Sequence, residues 1–452
     1  MPATANESAA CQSHYAAAIN DVRGANAPAV NPAANFDSAW SMIALTHWDT
    51  SYIDLNWRAV HDSLRPKAAD AKTVGELRAV LTTMLGTLKQ SHFVIIPSDR
   101  SVSRDGVGSA GRSGIIGATV RDVRGALVVT AVQNGGAAAR AGIRPGYLIE
   151  TIDGCPLAPR FAQISRNVDE RRSKLQAWRF ATTMLNGPVG DTVQITARDE
   201  RGNVRPFAIA RESQPGDFSK FGNLQPLGAK LDFYRKFVKG KTVGVISFNV
   251  WSTMLSKPFA AAMDSLRNAD AIVIDLRGNS GGVATMSQSV AGHFVDSALT
   301  LGTMFMRGIT MNYDINPQRV NTANQRVQPF AGPVAVIVDE LSASTSEVFA
   351  AGMQFLGRAR LFGAQTAGEV LMAVTEKLPN GDFLNHAVGN YLLPNGKPLE
   401  GSGVTPDVEV SVSRAALFQG GDPALDEAAA WAASAPKPKP RAKLARNVPQ
   451  LD

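Results

Sequence analysis

The sequence has few of the residues that mark metal-dependent and redox proteins. Its 452 residues include only two cysteines, Cys11 and Cys155, and neither has the spacing of a metal-binding or redox motif. The six histidines are scattered along the chain without a metal-binding spacing. The glycine-rich segment 278–282 lacks the lysine and hydroxyl residue of a phosphate-binding loop. The sequence therefore predicts no metal and no cofactor, and it leaves open whether the two cysteines pair in an oxidising compartment.

Charge and long apolar runs are also scarce. Charged residues make up only 19% of the chain, and the net charge is +7. Part of this excess lies in residues 437–443 (KPKPRAK), without a basic face carrying aromatic residues, so nucleic-acid binding is not predicted. The apolar runs are far shorter than the ~20 residues of a membrane span. Residues 1–15 lack the features of a signal peptide, which leaves either the cytoplasm or export with a leader already removed.

The most informative segments follow two short apolar runs. Val334–Val338 precedes Leu341–Glu347 (LSASTSE), and Ala271–Ile274 precedes Asp275–Gly282 (DLRGNSGG). A buried strand that ends in a turn of small residues can present a serine and free backbone N–H groups at one place. Acyl transfer needs this combination of a nucleophile and donors for the developing oxyanion. The two segments therefore predict a serine hydrolase, and among these a peptidase.

Three serines of the LSASTSE segment are candidates for the nucleophile. Ser344 lies three residues before Glu347, which is the spacing of a helix capping box. Ser344 is therefore either a nucleophile at a helix N-terminus or only the cap of that helix. Ser342 and Ser346 are its competitors.

Composition and apolar periodicity divide the rest of the chain. Residues 1–33 are rich in Ala, Asn and Pro and are expected to be flexible. Residues 34–98 have apolar residues at helical spacing, which predicts a helical cap. Residues 225–412 alternate apolar strands with helical stretches, as in an α/β domain. A short helix and a disordered, basic, proline-rich tail are expected over residues 413–452.

Residues 103–211 alternate short β-type segments with glycine turns. The phrase from Gly136 to Gly154, GAAARAGIRPGYLIETIDG, closely resembles the helix–turn–strand–turn signature of PDZ domains in proteases. The resemblance implies a module that adds an extended peptide, often a free C-terminus, to the edge of a sheet. Its carboxylate-binding loop should comprise Gly114, Ile115, Ile116 and Gly117.

From about Phe36 to Val410 the chain resembles the C-terminal processing (tail-specific) serine peptidases and their tricorn-core relatives. The matching motifs are Asp275–Gly282, Ser342–Glu347, Gly357–Ala359, Gly363 and Glu400–Asp407. The resemblance implies a ClpP/crotonase-like α/β catalytic domain with a helical cap and an inserted, mainly-β PDZ domain. It implies that Ser344 is the nucleophile. The oxyanion donors would be the backbone of Thr345 and of Gly281 or Gly282.

One position departs from the best-known pattern of that family. Processing peptidases activate the serine with a lysine, and the matching position here is Glu369, in the segment GAQTAGEV. A carboxylate has too low a pKa to serve as the base towards a serine hydroxyl. Lys377 lies eight residues further along, so a Ser–Lys dyad would require a rearrangement.

The segment Met84–Phe93 (MLGTLKQSHF) supplies a different base. It resembles the Ser-His segment of histidine-using, tricorn-like members, which implies that His92 deprotonates the serine. The resemblance further implies that Ser91 contacts this histidine and that Glu400 orients the network, with Glu369 as the alternative acid. Imidazole has a pKa near about 6.5, so it can be neutral and accept a proton at physiological pH.

These residues together predict a serine endopeptidase that works through an acyl-enzyme. Its partner would be a peptide or protein substrate, captured at the PDZ domain by its C-terminus. Two alternatives remain: an esterase-type serine hydrolase that uses the same site, and a PDZ peptide-binding protein whose site has decayed. Family members with PDZ domains are mostly exported, which favours the periplasm or secretion over the cytoplasm. The oligomeric state and the cleavage preference are not predicted.

Overall fold

The computed structural model describes residues 10–12, 15, 28, 30–52, 56–98, 113–166, 170–219 and 227–436. Most of the predicted flexible N-terminus and the basic tail, residues 437–452, lie outside the described residues. No helix within the described ranges has both the length and the apolar character that crossing a bilayer requires.

The N-terminal part is a small bundle of helices. Its helices are α1 (Pro32–Thr46), α2 (Arg58–Ala69) and α3 (Val74–Gly86), with a single turn at Thr50–Tyr52. Asn31 caps α1 by accepting the backbone N–H groups of Ala33 and Ala34, and Thr73 caps α3 in the same way. The chain leaves the bundle as strand β1 (Val94–Ile96).

Residues 113–213 form a second unit, here named the β-unit. Its strands are β2 (Ser113–Ile115), β3 (Ala118–Val123), β4 (Ala126–Val132), β5 (Leu148–Ile152), β6 (Cys155–Pro156), β7 (Gly187–Pro188), β8 (Thr192–Arg198), β9 (Val204–Ala210) and β10 (Glu212–Ser213). Its helices are α4 (Ala137–Arg140), α5 (Leu157–Ser165) and α6 (Glu170–Leu185). The main sheet is antiparallel, in the order β3-β4-β5-β8-β9, and helix α6 contacts its edge strand β3.

The remaining elements belong to the α/β part of the chain. Its strands are β11 (Asp217–Ser219), β12 (Leu227–Ala229), β13 (Leu231–Val238), β14 (Lys241–Phe248), β15 (Ala271–Asp275), β16 (Leu299–Met306), β17 (Ile309–Ile315), β18 (Val334–Val338), β19 (Arg360–Gly363), β20 (Met372–Lys377), β21 (Phe383–Leu392) and β22 (Val408–Glu409). Its helices are α7 (Ser256–Leu266), α8 (Ala284–Gly292), α9 (Thr345–Phe355), α10 (Arg414–Phe418) and α11 (Pro423–Ser434), with a 3₁₀ turn at Thr253–Leu255.

A six-stranded sheet in the order β13-β14-β15-β18-β19-β22 forms the centre of this part. Within this sheet β14, β15, β18, β19 and β22 run parallel to one another, and β13 pairs antiparallel with β14 at one edge. Helices α7, α8 and α9 cover one face and α11 covers the other. All of Val334–Val338 is buried, as expected of a parallel strand with helices on both sides. The result is a layered α/β domain.

A second sheet joins the helical cap to the α/β part. Its order is β1-β21-β16-β17, and β20 also pairs with β21. Both β1 and β20 run antiparallel to β21, with Phe383, Leu384 and Asn385 opposite residues of each. The two strands are therefore parallel to each other and both end opposite Phe383, while β1 begins opposite Asn385 and β20 opposite Gly389. The segments that precede them, residues 91–93 and 366–371, are linked by Glu400, which accepts one backbone N–H group from each.

A disulfide joins Cys11 to Cys155, with their Cα atoms 5.5 Å apart. Tyr15 adds a second attachment, since its hydroxyl donates to the carbonyl of Pro156 at 2.8 Å and its ring packs edge-on against Phe180. Both Cys11 and Tyr15 are buried in the core of the β-unit. At these residues the expectation of a flexible N-terminus is wrong, because the disulfide and this packing hold them.

Reduction of the disulfide should destabilise the β-unit. The bond closes a loop with a sequence separation of 144 residues, and removing such a link typically lowers the free energy of unfolding by about 2–5 kcal/mol. We expect a lower urea midpoint for the reduced than for the oxidised chain, followed by intrinsic tryptophan fluorescence. The Cys11→Ser/Cys155→Ser variant should match the reduced wild type and show no response to reductant. Coincident transitions with and without reductant would contradict this assignment.

Candidate active site

The parallel pairing of β15 with β18 brings the two serine-hydrolase motifs together. Ile274 lies opposite Val336 and Asp275 opposite Ile337, so the loops that follow the two strands emerge side by side. Ser344 is the N-cap of α9, with φ 53° and ψ −118°. This backbone conformation costs a non-glycine residue on the order of 1–3 kcal/mol and is concentrated at functional sites.

Gly281 lies directly against this serine. A Cβ atom at Gly281 would stand 2.6 Å from the Cβ and 3.1 Å from the Oγ of Ser344, so no larger residue fits. The backbone N–H of Ala343 donates to the carbonyl of Asn279 at 3.1 Å, which fixes the distance between the two loops. The glycine turn therefore contacts the side chain of Ser344.

Two backbone N–H groups beside Ser344 are open to a ligand. Those of Gly282 and Thr345 make no hydrogen bond to any other residue that the structure describes. The hydroxyl of Thr345 donates to the carbonyl of Gly282 at 2.8 Å, which holds the two residues together. The N–H of Gly281 already donates to Asn279 Oδ1 at 3.0 Å. Of the two glycines predicted as donors, the geometry therefore favours Gly282.

The competing serines are fully buried and their hydroxyls are engaged. Ser342 Oγ donates to the carbonyl of Leu276 at 2.7 Å and accepts from the N–H of Asp339 at 3.0 Å. Ser346 Oγ donates to the carbonyl of Asn279 at 2.9 Å and accepts from Trp251 Nε1 at 2.8 Å. These two serines hold the loop in place, which leaves Ser344 as the one suited to attack a substrate.

Ser91, His92 and Glu400 form a continuous hydrogen-bonded chain. Ser91 Oγ lies 2.7 Å from His92 Nδ1 and donates to Glu400 Oε2 at 3.1 Å. The backbone N–H of Ser91 donates to Glu400 Oε1 at 2.8 Å, and that of Val370 to Oε2 at 3.0 Å. The carboxylate therefore orients the serine, and the serine orients the imidazole.

The direction of these bonds determines the tautomer of His92. Because the Ser91 hydroxyl hydrogen points to Glu400, its oxygen must accept the proton of Nδ1. Nε2 then carries the lone pair that a general base needs. Burial lowers the pKa of His92, and Glu369 and Arg179 have opposite, smaller effects on it. The imidazole is thus neutral at pH 7.

Ser344 and His92 share the segment around Glu369. The N–H of Ser344 donates to the carbonyl of Glu369 at 2.8 Å, and the carboxylate of Glu369 acts electrostatically on His92. No direct hydrogen bond joins Ser344 Oγ to His92 among the described residues. Catalytic hydrogen bonds are often long without substrate and tighten in the reacting complex. Glu369 itself pairs with Arg179 at 2.6 Å and does not contact Ser91.

Glu347 is a fully buried carboxyl group at the centre of the loops. Oε2 accepts the backbone N–H groups of Ser344 at 3.1 Å and Glu369 at 2.9 Å. Oε1 accepts the Thr366 hydroxyl at 2.5 Å and the N–H of Gly368 at 2.8 Å. Burial raises its pKa to about 7, against the effect of these donors. The sequence alone indicates only a helix-capping role for Glu347. Its spacing from Ser344 is the same whether it caps the helix or binds the surrounding loops.

Lys377, the alternative base, lies far from this cluster. It is exposed at the last residue of β20, five residues beyond Met372, which at ~3.3 Å per residue places it roughly 16 Å along the strand. No group of three or more metal-binding side chains occurs in the described ranges.

Helix α6 of the β-unit lies over the active-site loops. Arg171 donates to the carbonyls of Ala367 and Gly401, and Arg179 pairs with Glu369. A second contact is the buried ion pair of Arg121 with Asp339, whose atoms are 2.7 Å apart. Asp339 lies in the loop that leads to Ser344, so the β-unit touches both sides of the site.

The segment predicted as a carboxylate-binding loop lies at the entrance to β3. Gly114 and Ile115 pair with β10, and Gly114 also pairs with β7, so their strand is already the centre of a small sheet. The carbonyls of Ile116 and Gly117 accept backbone N–H groups from residues 138 and 133 at 2.9 and 2.8 Å. The loop is therefore held next to the edge of β3.

Residues 242–410 match peptidase family S41, and residues 28–86 match the tricorn protease C1 domain. A carboxyl-terminal-processing protease of a Picosynechococcus species is 25% identical over 378 residues, which are 82% of this chain and 81% of that protein. A probable CtpA-like serine protease of Staphylococcus aureus is 24% identical over 344 residues, 75% of this chain. The alignment spans only 60% of the length of the Staphylococcus relative.

Two solved structures share the fold. The photosystem II D1 C-terminal processing protease superposes with a TM-score of 0.56 at 19% identity, over 84% of this chain and 94% of the other. Mature CPAF superposes with a TM-score of 0.61 at 14% identity, over 86% and 94%. The sequence matches support a C-terminal processing serine peptidase family, and the two solved structures agree with its fold.

Proposed function

We propose that the chain hydrolyses peptide bonds through an acyl-enzyme on Ser344. The observation that carries this proposal is the chain of hydrogen bonds from Glu400 through Ser91 to His92, which leaves Nε2 as an acceptor. The same roles, a nucleophile, a base and an acid that orients the base, define serine catalytic triads. Here the acid acts through a hydroxyl group.

The reaction would proceed in two halves. His92 Nε2 takes the proton of Ser344 Oγ while the oxygen attacks the substrate carbonyl carbon. The resulting oxyanion accepts the N–H groups of Gly282 and Thr345. The imidazolium then gives its proton to the departing amine, which leaves the acyl group on Ser344. Water, deprotonated by His92, attacks this ester and releases the carboxylic acid together with the free serine.

We further propose that the β-unit is a PDZ domain that captures the substrate by its C-terminus. The proposal rests on the glycine-rich phrase 136–154 and on the edge strand β3. This strand lies beside α6, and the space between them is where a peptide strand could be added to the sheet. Relatives named for carboxyl-terminal processing support a substrate that presents its C-terminus. A ClpP/crotonase-like ancestry of the α/β domain agrees with the layered sheet.

The compartment we propose is oxidising, as in the periplasm or after secretion. The Cys11–Cys155 disulfide is the supporting observation, because such bonds persist outside the reducing cytoplasm. A decayed binding protein would not need to keep an oriented histidine beside a strained serine. The intact network therefore favours the peptidase over the binding-protein alternative.

A fluorophosphonate probe should label Ser344, and the label should require His92. We expect the adduct, located by mass spectrometry after proteolysis, to be lost in Ser344→Ala and at least 10³-fold slower to form in His92→Ala, since triad members act as a unit. Peptide hydrolysis should be lost in the same variants that lose labelling. Turnover of p-nitrophenyl esters without any peptide would support the esterase alternative.

Two variants serve as controls for this experiment. His61→Ala removes an imidazole that pairs with Asp37 in the helical cap, and Lys377→Ala removes the alternative base. Both should label at the wild-type rate. An adduct that persists in His92→Ala but disappears in Lys377→Ala would overturn the assignment of the base, and no adduct at all would favour a binding protein.

The pH dependence of labelling should reveal the ionisation of Glu347. The carboxylate accepts four donors, but its protonated form loses at least one of them, so Ser344 and Glu369 are held less well. Because the pKa of Glu347 is about 7 and burial lowers the pKa of His92, the rate should rise with pH through about 7. Rates of fluorophosphonate labelling between pH 5 and 9 would measure this limb.

Glu347→Gln should move the acidic limb to lower pH, because the carboxyl group with a pKa of about 7 has been removed. It should also slow labelling by ~10–100-fold, since the amide cannot accept all four donors. Thr366→Val removes one donor to the carboxylate and should shift the limb upwards instead. Glu427→Gln, on an exposed turn of α11, is the matched control. An unchanged limb in Glu347→Gln would refute the role of this group.

A further inference from the structure

Strand β13 leaves one edge of the central sheet unpaired within the described residues. It pairs with β14 over its full length, from Leu231 opposite Phe248 to Val238 opposite Lys241. Three aromatic side chains along it are exposed: Phe233 by 44%, Tyr234 by 47% and Phe237 by 77%. An eight-residue edge strand with exposed aromatic residues is a template for pairing with another strand.

The hairpin determines which backbone groups face outwards. Lys239 and Gly240 form its two-residue turn, with φ values of 48° and 73°, as in a type I′ turn. The closing pair of such a hairpin exchanges hydrogen bonds, so even-numbered residues of β13 bond to β14. The bond from the N–H of Asn249 to the carbonyl of Lys230 agrees with this alternation. The backbone groups of residues 231, 233, 235 and 237 therefore point away from the sheet.

The side chains of β13 are self-complementary about Tyr234. In an antiparallel pair of identical strands centred there, Asp232 lies opposite Lys236 of the second copy and Phe233 lies opposite Arg235. The outermost pairs then join Leu231 to Phe237. Each residue whose backbone N–H and C=O groups point away from the sheet lies opposite another such residue of the second copy. Hydrogen bonding between the two strands requires this arrangement.

Neighbouring registers are poorer. A centre at Arg235 places that arginine opposite itself, and a centre at residue 236 does the same for the lysine. A centre at Phe233 sets Lys236 opposite Lys230 of the other copy. Like charges directly opposite each other destabilise a pair of strands, so the charges select the register centred at Tyr234.

The charges of β13 also have partners in their own chain. Asp232 pairs with Lys230 at 2.6 Å, and Lys236 pairs with Asp426 at 3.1 Å. These pairs are largely exposed and so contribute little to stability. They do not prevent the two side chains from meeting a second copy.

We propose that β13 is a dimer interface, at which two copies of this chain pair antiparallel about Tyr234. The pairing joins the two central sheets into one and covers the exposed aromatic residues. The interface has two-fold symmetry, so each contact between unlike residues occurs twice. The inference is independent of the proposed function, because no active-site residue lies on β13.

A cysteine at the dyad tests the register. In Tyr234→Cys the two new cysteines would be a non-hydrogen-bonded pair with Cα atoms about 4.5 Å apart, which is within the range of a disulfide. Mild oxidation of the full chain should give a covalent dimer of about twice 47.9 kDa on a non-reducing gel. Phe237→Cys is the matched control: it is more exposed, but its two copies would be roughly 20 Å apart.

Charge reversal tests the same contact without a covalent bond. Asp232→Lys and Lys236→Asp each set like charges opposite each other twice, and each should weaken the dimer by at least about tenfold in sedimentation equilibrium. The double variant restores opposite charges and should restore the affinity. The circular dichroism of each variant confirms that it is folded.

Three outcomes would overturn the proposal. The first is a wild-type chain that remains monomeric at every concentration. The second is a double charge variant that associates as weakly as the single ones. The third is a cysteine at position 237 that cross-links as readily as one at position 234.

Discussion

The side-by-side ends of β14, β15 and β18 are the constraint on which the active site depends, and Asn279 locks them. Its side chain donates to the carbonyl of Phe248 at the end of β14 and accepts the N–H of Gly281. Its carbonyl accepts the N–H of Ala343 and the hydroxyl of Ser346. One buried residue thus satisfies groups from three loops, and the left-handed conformation of Ser344 persists because these bonds over-determine it.

Two buried carboxyl groups, Asp339 and Glu347, flank Ser344, and they differ in what compensates their burial. Although burial acts to raise it, the guanidinium of Arg121 and the N–H of Gly278 hold the pKa of Asp339 below its usual value. Glu347 has only neutral donors, and burial raises its pKa to about 7. The loop before Ser344 is therefore held at any physiological pH by an ion pair with the β-unit. The contacts that Glu347 makes on the other side of Ser344 instead depend on pH, because this carboxyl group gains or loses its proton at physiological pH.

Local patterns in the sequence predict the local structure well. The apolar run Val334–Val338 has the same bounds as strand β18, and the Ser344–Glu347 spacing does mark the start of a helix. These features depend on neighbouring residues, so a short stretch of sequence contains the information. A short stretch of sequence does not show whether Gly281 or Gly282 is the oxyanion donor. The answer depends on which of the two N–H groups donates to the side chain of Asn279.

Long-range contacts could be inferred only through resemblance. Nothing in the chemistry of Ser91 or Glu400 alone points one to the other, and it was the likeness to histidine-using peptidases that paired them with His92. The Cys11–Cys155 pairing stayed open, since two cysteines fit a disulfide or two thiols equally well. The four donors to Glu347 come from two segments, residue 344 and residues 366–369. The capping pattern in the sequence indicates only the first of these contacts.

The bond between Ser91 and Glu400 also bears on how the protein is made. The two residues are 309 positions apart in the sequence, and ribosomes add residues at ~5–20 per second. His92 emerges long before Ser344, and Glu400 emerges after both. A growing chain consequently lacks the complete candidate site until Glu400 has been synthesised. The unfinished chain therefore lacks the carboxylate that orients Ser91 and His92.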